Sequence, residues 1–218
     1  PDNQIAFIIG DVSDKGVGSA LFMTLIRSLL RIFSGSFNGG ADLNACIEPG
    51  EVKPQKRALK SVSLVNEYIA REHCEDGMFA TLFFAIIDPV TGKVYYINAG
   101  HEPALVVGSG SIKHHLATTG PALGAIDDAA FRIKSFQLEP GDILFSYTDG
   151  VTDALSETEG FYKRYRLENA IEKGTNETAK KFLKGIKTDL FDFVGNAPQH
   201  DDITMLTVKW NIGASSTN

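Results

Sequence analysis

Three short acidic segments carry the residue types that could do chemistry. Gly10-Asp11-Val12-Ser13-Asp14-Lys15-Gly16, Tyr147-Thr148-Asp149-Gly150-Val151-Thr152-Asp153 and His200-Asp201-Asp202-Ile203-Thr204 each adjoin an apolar, strand-like run. Carboxylates and carbonyls are the donors that hard cations such as Mg²⁺ and Mn²⁺ prefer, and loops at strand ends can bring several of them to one place. A single loop aspartate reads equally well as turn capping, so it is the shared pattern that points to a metal centre. The first segment is not an EF-hand, because Lys15 stands at the fifth ligand position and Phe22 where the bidentate Glu belongs. Neither a Walker A loop nor a dinucleotide GxGxxG is present. Cys46 and Cys74 lie far apart, without CxxC spacing and outside any phosphate-cradling loop, so neither a thiolate zinc site nor a cysteine nucleophile is suggested.

The elements that must position these loops alternate in period. Ile5 to Ile9 reads as a buried strand with Asp11 just past its exit. Val17 to Phe33 reads as a helix with a stripe of Leu21, Leu25, Leu29 and Ile32, widened by Phe22, Ile26 and Phe33. Residues 35–54 are rich in Gly, Pro, Asn and Ser and are expected to form a long loop or insertion. A second helix is expected from Gln55 to Glu72, with Leu59, Val62, Val65 and Ile69 on one face. Phe79 to Ile87 and Lys93 to Asn98, joined by Asp88-Pro89-Val90-Thr91-Gly92, predict a hairpin. Further strands are expected at 104–107, 112–116, 131–137, 143–148 and 203–209, and helices at 167–173 and 177–193. Many strands with clustered helices favour an α+β layered domain with largely antiparallel sheets.

The chain has 218 residues and 43% hydrophobic content, enough for one domain over 1–218 with a substantial core. A formal net charge of -6 supplies no basic field for a phosphate backbone, so nucleic acid is not an expected partner. No apolar run reaches the roughly 20 residues that span a bilayer. A cytoplasmic location with reduced thiols is expected. Pro1 opens the sequence and a strand follows at once, so the chain is expected to begin inside a larger protein.

The three acidic segments, together with Phe79-Ala80-Thr81, Asn98-Ala99-Gly100-His101 and Pro140-Gly141-Asp142, occur in the order found in one family. In this the chain resembles the sporulation protein E and sigma-regulator branch of the PPM (protein phosphatase 2C-like) serine/threonine phosphatases. The resemblance covers nearly the whole chain. It implies two packed antiparallel β-sheets flanked by α-helices, with two Mn²⁺ or Mg²⁺ ions in a cleft at one end. It further implies that Asp11 bridges both metals, that the Val12 carbonyl helps bind one, and that Asp149 and Asp201 complete the other. Asp202, Ser13 and Gly150 would support the site. Ser13 occupies the place where some relatives carry a histidine proposed as the general acid, so a water, His101 or His200 would have to supply that proton. The family's acidic motif upstream of the first strand has no counterpart here, and the second metal site is expected to be weakened.

By the same resemblance the substrate would be a phosphorylated STAS-type anti-anti-sigma factor, and an upstream sensor or receiver domain would control activity. A catalytically inactive module that binds the same partner is the competing reading, against which the convergence of carboxylates argues, since their repulsion costs stability without a cation. Lys163, Arg164 and Arg166, in a segment 160–167 that departs from the family pattern, are either contacts for an acidic phosphoprotein or an ordinary solvated turn.

Overall fold

A computed structural model describes residues 4–34, 54–73, 77–174 and 177–211. Apart from Pro54, the expected 35–54 loop lies outside these residues, as do Cys46 and Cys74. Ten strands and four helices follow in chain order: β1 (Ile5–Val12), α1 (Val17–Phe33), α2 (Pro54–Glu72), β2 (Ala80–Ile87), β3 (Lys93–Ala99), β4 (Ala104–Gly108), β5 (Ser111–Leu116), β6 (Lys134–Gln137), β7 (Ile143–Tyr147), β8 (Leu155–Ser156), β9 (Gly160–Phe161), α3 (Lys163–Lys173), α4 (Ala179–Val194) and β10 (Met205–Lys209). Strands β1-β2-β3-β6 form one antiparallel sheet and β10-β7-β4-β5 the other, while β8 and β9 make a short hairpin. The expected α+β sandwich of two antiparallel sheets is therefore present.

Strand parity builds the layers. On β2, Leu82, Phe84 and Ile86 face α1 and α2, while Phe83, Ala85 and Ile87 face the second sheet. On β7 the pattern is reversed in number but equal in sense: Ile143, Phe145 and Tyr147 face α3 and α4, and Leu144 faces the first sheet. Every second side chain of a strand points to the same face, so continuous apolar runs are what a sheet covered on both sides requires. Trp210, just past β10, closes the sandwich by donating its ring N–H to the Pro89 carbonyl at 2.9 Å, in the β2–β3 turn.

Some expectations are corrected. β1 continues through Val12 in register with Ala80, so Asp11 lies within the strand opposite Thr81 rather than beyond its exit. The buried stripe of α1 is Phe22, Ile26 and Leu30, and Leu21 is 66% exposed. Both stripes have helical spacing of three to four residues, and the sheet beneath selects the one that places the larger Phe22 inward. β6 begins at Lys134, since Phe131 leaves the strand line to pack under α2. α3 begins at Lys163, a turn earlier than its apolar pattern indicates. On α2, Ala58, Val62, Val65 and Ile69 are buried with Leu59 packed beside them, in line with the expected face.

Asp142 fixes the turn into β7. Its carboxylate is buried, accepts the Glu139 backbone N–H at 2.9 Å and pairs with the Lys113 ammonium at 2.7 Å. The Pro140-Gly141-Asp142 motif is thereby structural, joining β5 to the β6–β7 turn. Asp142→Ala leaves the part-buried Glu139 N–H without its acceptor and Lys113 with Glu139 alone, and is expected to cost about 2 kcal/mol. Urea unfolding should show a lower midpoint with an unchanged m-value.

Candidate metal centre

Asp11 arrives from the first sheet; Asp149 and Asp201 arrive from the second. β1 and β2 are locked together at Gly10, where an added Cβ would stand 2.8 Å from the Thr81 carbonyl oxygen. Beyond Val12 the chain turns sharply through Asp14 and Gly16, both in the left-handed region (φ 67° and 98°), into α1. Ser13 pins this turn: its N–H donates to the Phe79 carbonyl at 2.9 Å, and its hydroxyl accepts the Phe79 N–H at 3.0 Å. The side chain is thus occupied in holding backbone.

Asp149 opens a 3-10 turn immediately after β7, and Asp201-Asp202 immediately precede β10, the neighbour of β7. Thr148 clamps the two loops. Its hydroxyl donates to the Asp202 carbonyl at 3.0 Å and accepts the Thr204 N–H at 3.0 Å. Gly150 permits their approach, because a Cβ there would stand 2.3 Å from the Asp202 carbonyl oxygen. Asp201 is held by the Asp202 N–H at 2.8 Å and by the Lys15 ammonium at 3.3 Å. Lys15 also donates to the His200 carbonyl at 2.6 Å, so it ties the β1–α1 turn to the loop before β10.

The electrostatics register the convergence. Burial, followed by the negative charges of Asp149 and Asp201 and more weakly Asp202, pushes the Asp11 carboxyl up to about 6, against the lowering effect of a backbone hydrogen bond at Val12. Asp153 is raised as well, by burial and then by Asp149, Glu102 and Asp201. Carboxylates that share a field in this way are stabilised by a cation. The carboxylates of Asp11, Asp149 and Asp201 are hard oxygen donors, which suits Mg²⁺ or Mn²⁺. Among the described residues, however, no three acidic, His or Cys side chains stand close enough to form a ready-made ligand group. The fit is therefore one of donor chemistry; Asp201 would have to exchange its hold on Lys15 for a metal.

Two residues beneath the site were not singled out by sequence as its supports. Thr81, paired with Asp11 across the β1–β2 ladder, meets His101 Nδ1 through its hydroxyl at 2.9 Å and lies 3.4 Å from the Asp11 carbonyl oxygen. His101 is 3% exposed and is presented by a braced turn. Asn98 accepts the His101 N–H at 2.8 Å and donates to the Leu116 carbonyl at 3.1 Å, while Gly100 takes φ 68°. The ring spans the sheets, from Thr81 on β2 to the backbone of Tyr147 on β7, although its Nε2 makes no hydrogen bond of good geometry. Burial pulls this imidazole down to about 4.

Comparison with known proteins decides the family. The sequence profile of Stage II sporulation protein E (SpoIIE) matches residues 1–211. The chain belongs to the SpoIIE family of PP2C-like phosphatase domains. It is 45% identical over 219 residues to Protein IcfG of Synechocystis sp. (strain ATCC 27184 / PCC 6803 / Kazusa), covering 96% of this chain and 34% of that protein. It is 27% identical over 207 residues to the phosphoserine phosphatase RsbU of Bacillus subtilis (strain 168), covering 94% of this chain and 56% of that one. The chain thus spans between a third and somewhat more than half of the length of these relatives. Among solved structures, the SiaA-PP2C domain of Pseudomonas aeruginosa shares the fold with a TM-score of 0.70 at 18% identity, covering 95% of this chain and 80% of that one. RsbX, solved in complex with magnesium, does so with a TM-score of 0.60 at 13% identity, covering 96% of this chain and 82% of that one.

Two tests address the geometry. Gly150→Ala should destabilise the protein by about 1–3 kcal/mol, because it forces the two acidic loops apart. Gly185→Ala, at an open helical position with no atom near the added Cβ, should instead stabilise it by about 0.5–1 kcal/mol. Thermal unfolding of the pair separates loop contact from a general effect of added bulk. The second test uses pH. With a folded value of about 4 against 6.5 when unfolded, His101 binds its proton only in the unfolded state between these limits, so its contribution to stability is complete above pH 6.5 and falls toward pH 4. The stability difference between wild type and His101→Gln should shrink over that window by up to about 3 kcal/mol, at about 1.4 kcal/mol per pH unit.

Proposed function

We propose that this chain is a metal-dependent protein serine/threonine phosphatase that hydrolyses phosphoserine or phosphothreonine on a partner protein. The observation that carries this reading is the convergence on Asp11 of the charges of Asp149 and Asp201, delivered from the opposite sheet, in a domain of the SpoIIE family. Asp11, the Val12 carbonyl, Asp149 and Asp201 would hold two divalent cations, Mn²⁺ or Mg²⁺. Such cations, when bound, activate water at neutral pH and neutralise phosphoryl charge during in-line displacement.

The chain's own residues do the rest. Thr81 and His101 fix the strand that carries Asp11, and Thr148 with Gly150 fixes the loops of Asp149 and Asp201. His101, buried and neutral at pH 7, acts as a positioning residue rather than as the acid for the leaving group. His200 is exposed beside Asp201, with its ring centroid 6.3 Å from that of Phe161, and a water or this imidazole would supply the proton to the leaving seryl oxygen. By the family resemblance the proposed substrate is a phosphorylated STAS-type anti-anti-sigma factor, and the relative RsbU is a phosphoserine phosphatase. This reading carries with it a cytoplasmic location. Because the relatives extend well beyond the matched segment, it also includes control by an upstream sensor or receiver domain.

One observation favours a second reading, an inactive module that binds the same partner: Asp201 is engaged by Lys15, and the carboxylates do not yet form a closed ligand group. Hydrolysis of para-nitrophenyl phosphate and of a phosphoserine STAS protein decides between them. Manganese-dependent turnover is expected, abolished by a chelator and reduced about 100-fold or more in Asp149→Asn, equivalent to about 2.7 kcal/mol in the barrier. Turnover that survives chelation would sink the metal-dependent mechanism. Partner binding without any turnover would establish the inactive module.

A further inference from the structure

A cleft of about 350 Å³ lies beside the aspartate loops, lined by Glu102, Thr152, Asp153, Phe161, Lys163 and Arg164. Thr152 and Asp153 in its lining belong to the loop that begins at Asp149. The Asp153 N–H and the Thr152 hydroxyl both donate to the Asp149 carbonyl, at 2.8 and 3.0 Å, and the Phe161 ring neighbours His200 on the other side. A phosphorylated side chain directed at Asp149 and Asp201 therefore brings its flanking residues over this cleft.

The three cations at the start of α3 are not equivalent. Arg164 is paired with Glu102 at 2.9 Å. Arg166 is paired with Glu159, and its guanidinium lies 4.6 Å from the centroid of the Phe193 ring. Lys163 is exposed and has no carboxylate partner among the described residues. Its backbone is left-handed at φ 63°, uncommon for a residue with a side chain, and is fixed by its N–H to the Thr152 carbonyl at 2.7 Å. Tyr162 anchors the turn from below, fully buried, with its hydroxyl on Asp189 at 2.6 Å and its N–H on the Ala154 carbonyl at 2.8 Å. The result is a lysine without a carboxylate partner among the described residues, lining a cleft that Asp153 also lines.

We propose that Lys163, with the Phe161 and Arg164 walls, forms a subsite that takes an acidic side chain, Asp or Glu, flanking the phosphorylated residue of the protein substrate. This rests on the phosphatase reading above. Asp153, which lines the same cleft, repels an acidic residue and so favours its placement toward Lys163. The net charge of -6 disfavours acidic ligands over the surface as a whole, so a preference for them has to come from a local cation.

The test measures affinity by fluorescence anisotropy at about 0.15 M salt, where long-range fields are screened. Labelled peptides carry a non-hydrolysable phosphonate in place of phosphoserine, flanked on both sides by either Asp or Lys. Wild type should bind the Asp-flanked peptide about 3-fold to 5-fold more tightly, the range expected of one exposed ion pair. Lys163→Asn, which tolerates the left-handed backbone, should abolish the preference, and Lys163→Glu should reverse it. An identical preference in all three proteins, or no binding of any peptide at about 1 mM, overturns the proposal. Manganese-dependent turnover of para-nitrophenyl phosphate by wild type reports on the phosphatase reading alone. A charge-switched peptide preference without that turnover would keep the subsite and remove the chemistry.

Discussion

Like charges brought together from opposite sheets set the terms for the rest of the molecule. Asp11 comes from the β1–β2 ladder, while Asp149 and Asp201 come from the loops at β7 and β10, and their mutual repulsion joins burial in lifting the Asp11 carboxyl well above the usual carboxylate range. Nothing in local secondary structure favours such an arrangement. It persists because the backbone on each side is fixed before the carboxylates meet: by Thr148 and the bare Cα of Gly150 in one sheet, and by the Gly10 approach and the Ser13 clasp in the other. Each is a contact to backbone, and a backbone contact can hold a loop against repulsion without adding another charge to the site.

The two sheets must also keep a constant offset, or the carboxylates would lose their common focus. That offset comes from the inter-sheet core, where Phe83, Ala85 and Ile87 meet Val106 and Leu144, and at the far end from Trp210 under the β2–β3 turn. Close-packed interiors transmit displacement poorly absorbed elsewhere, so a core of this kind acts as a rigid spacer. His101 is the polar part of the same spacer. Its ring meets Thr81 on β2, and burial, which lowers its pKa, lets it lie beneath the carboxylates without acting as their counter-ion.

Much of this was legible in the sequence, for stated reasons. Strand and helix periods depend on local spacing, so α1, α2, the β2–β3 hairpin and β4, β5, β7 and β10 lie within a few residues of where their patterns put them. The aspartates stood out in the sequence because an acidic residue at either end of an apolar run breaks the pattern visibly. What was not legible depends on partners distant in the chain. The α1 stripe of Phe22, Ile26 and Leu30 rather than Leu21 and Leu25 is chosen by the sheet beneath it. The β8–β9 hairpin has two-residue strands, too short for any period. The pairing of Thr81 with Asp11 requires the register of two strands separated by 70 residues.

The basic segment at 163–166 shows the same division in a single turn. Sequence presents Lys163, Arg164 and Arg166 as one patch, with equal claims to solvent or to a partner. Glu102 comes from the turn after β3 and Glu159 from the β8–β9 hairpin, and neither is near these residues in a way that composition could reveal for both. Once those two acids are assigned, Lys163 is, among the described residues, the one of the three cations without a carboxylate partner, and it lines a cleft together with Thr152 and Asp153 of the Asp149 loop. A guanidinium pair fixed in place can shape such a wall, whereas an uncommitted lysine can still contribute its charge to a ligand. Recognition and chemistry would then be separated by the short span from Lys163 to Asp149, both ends of which are anchored to the same backbone at Thr152.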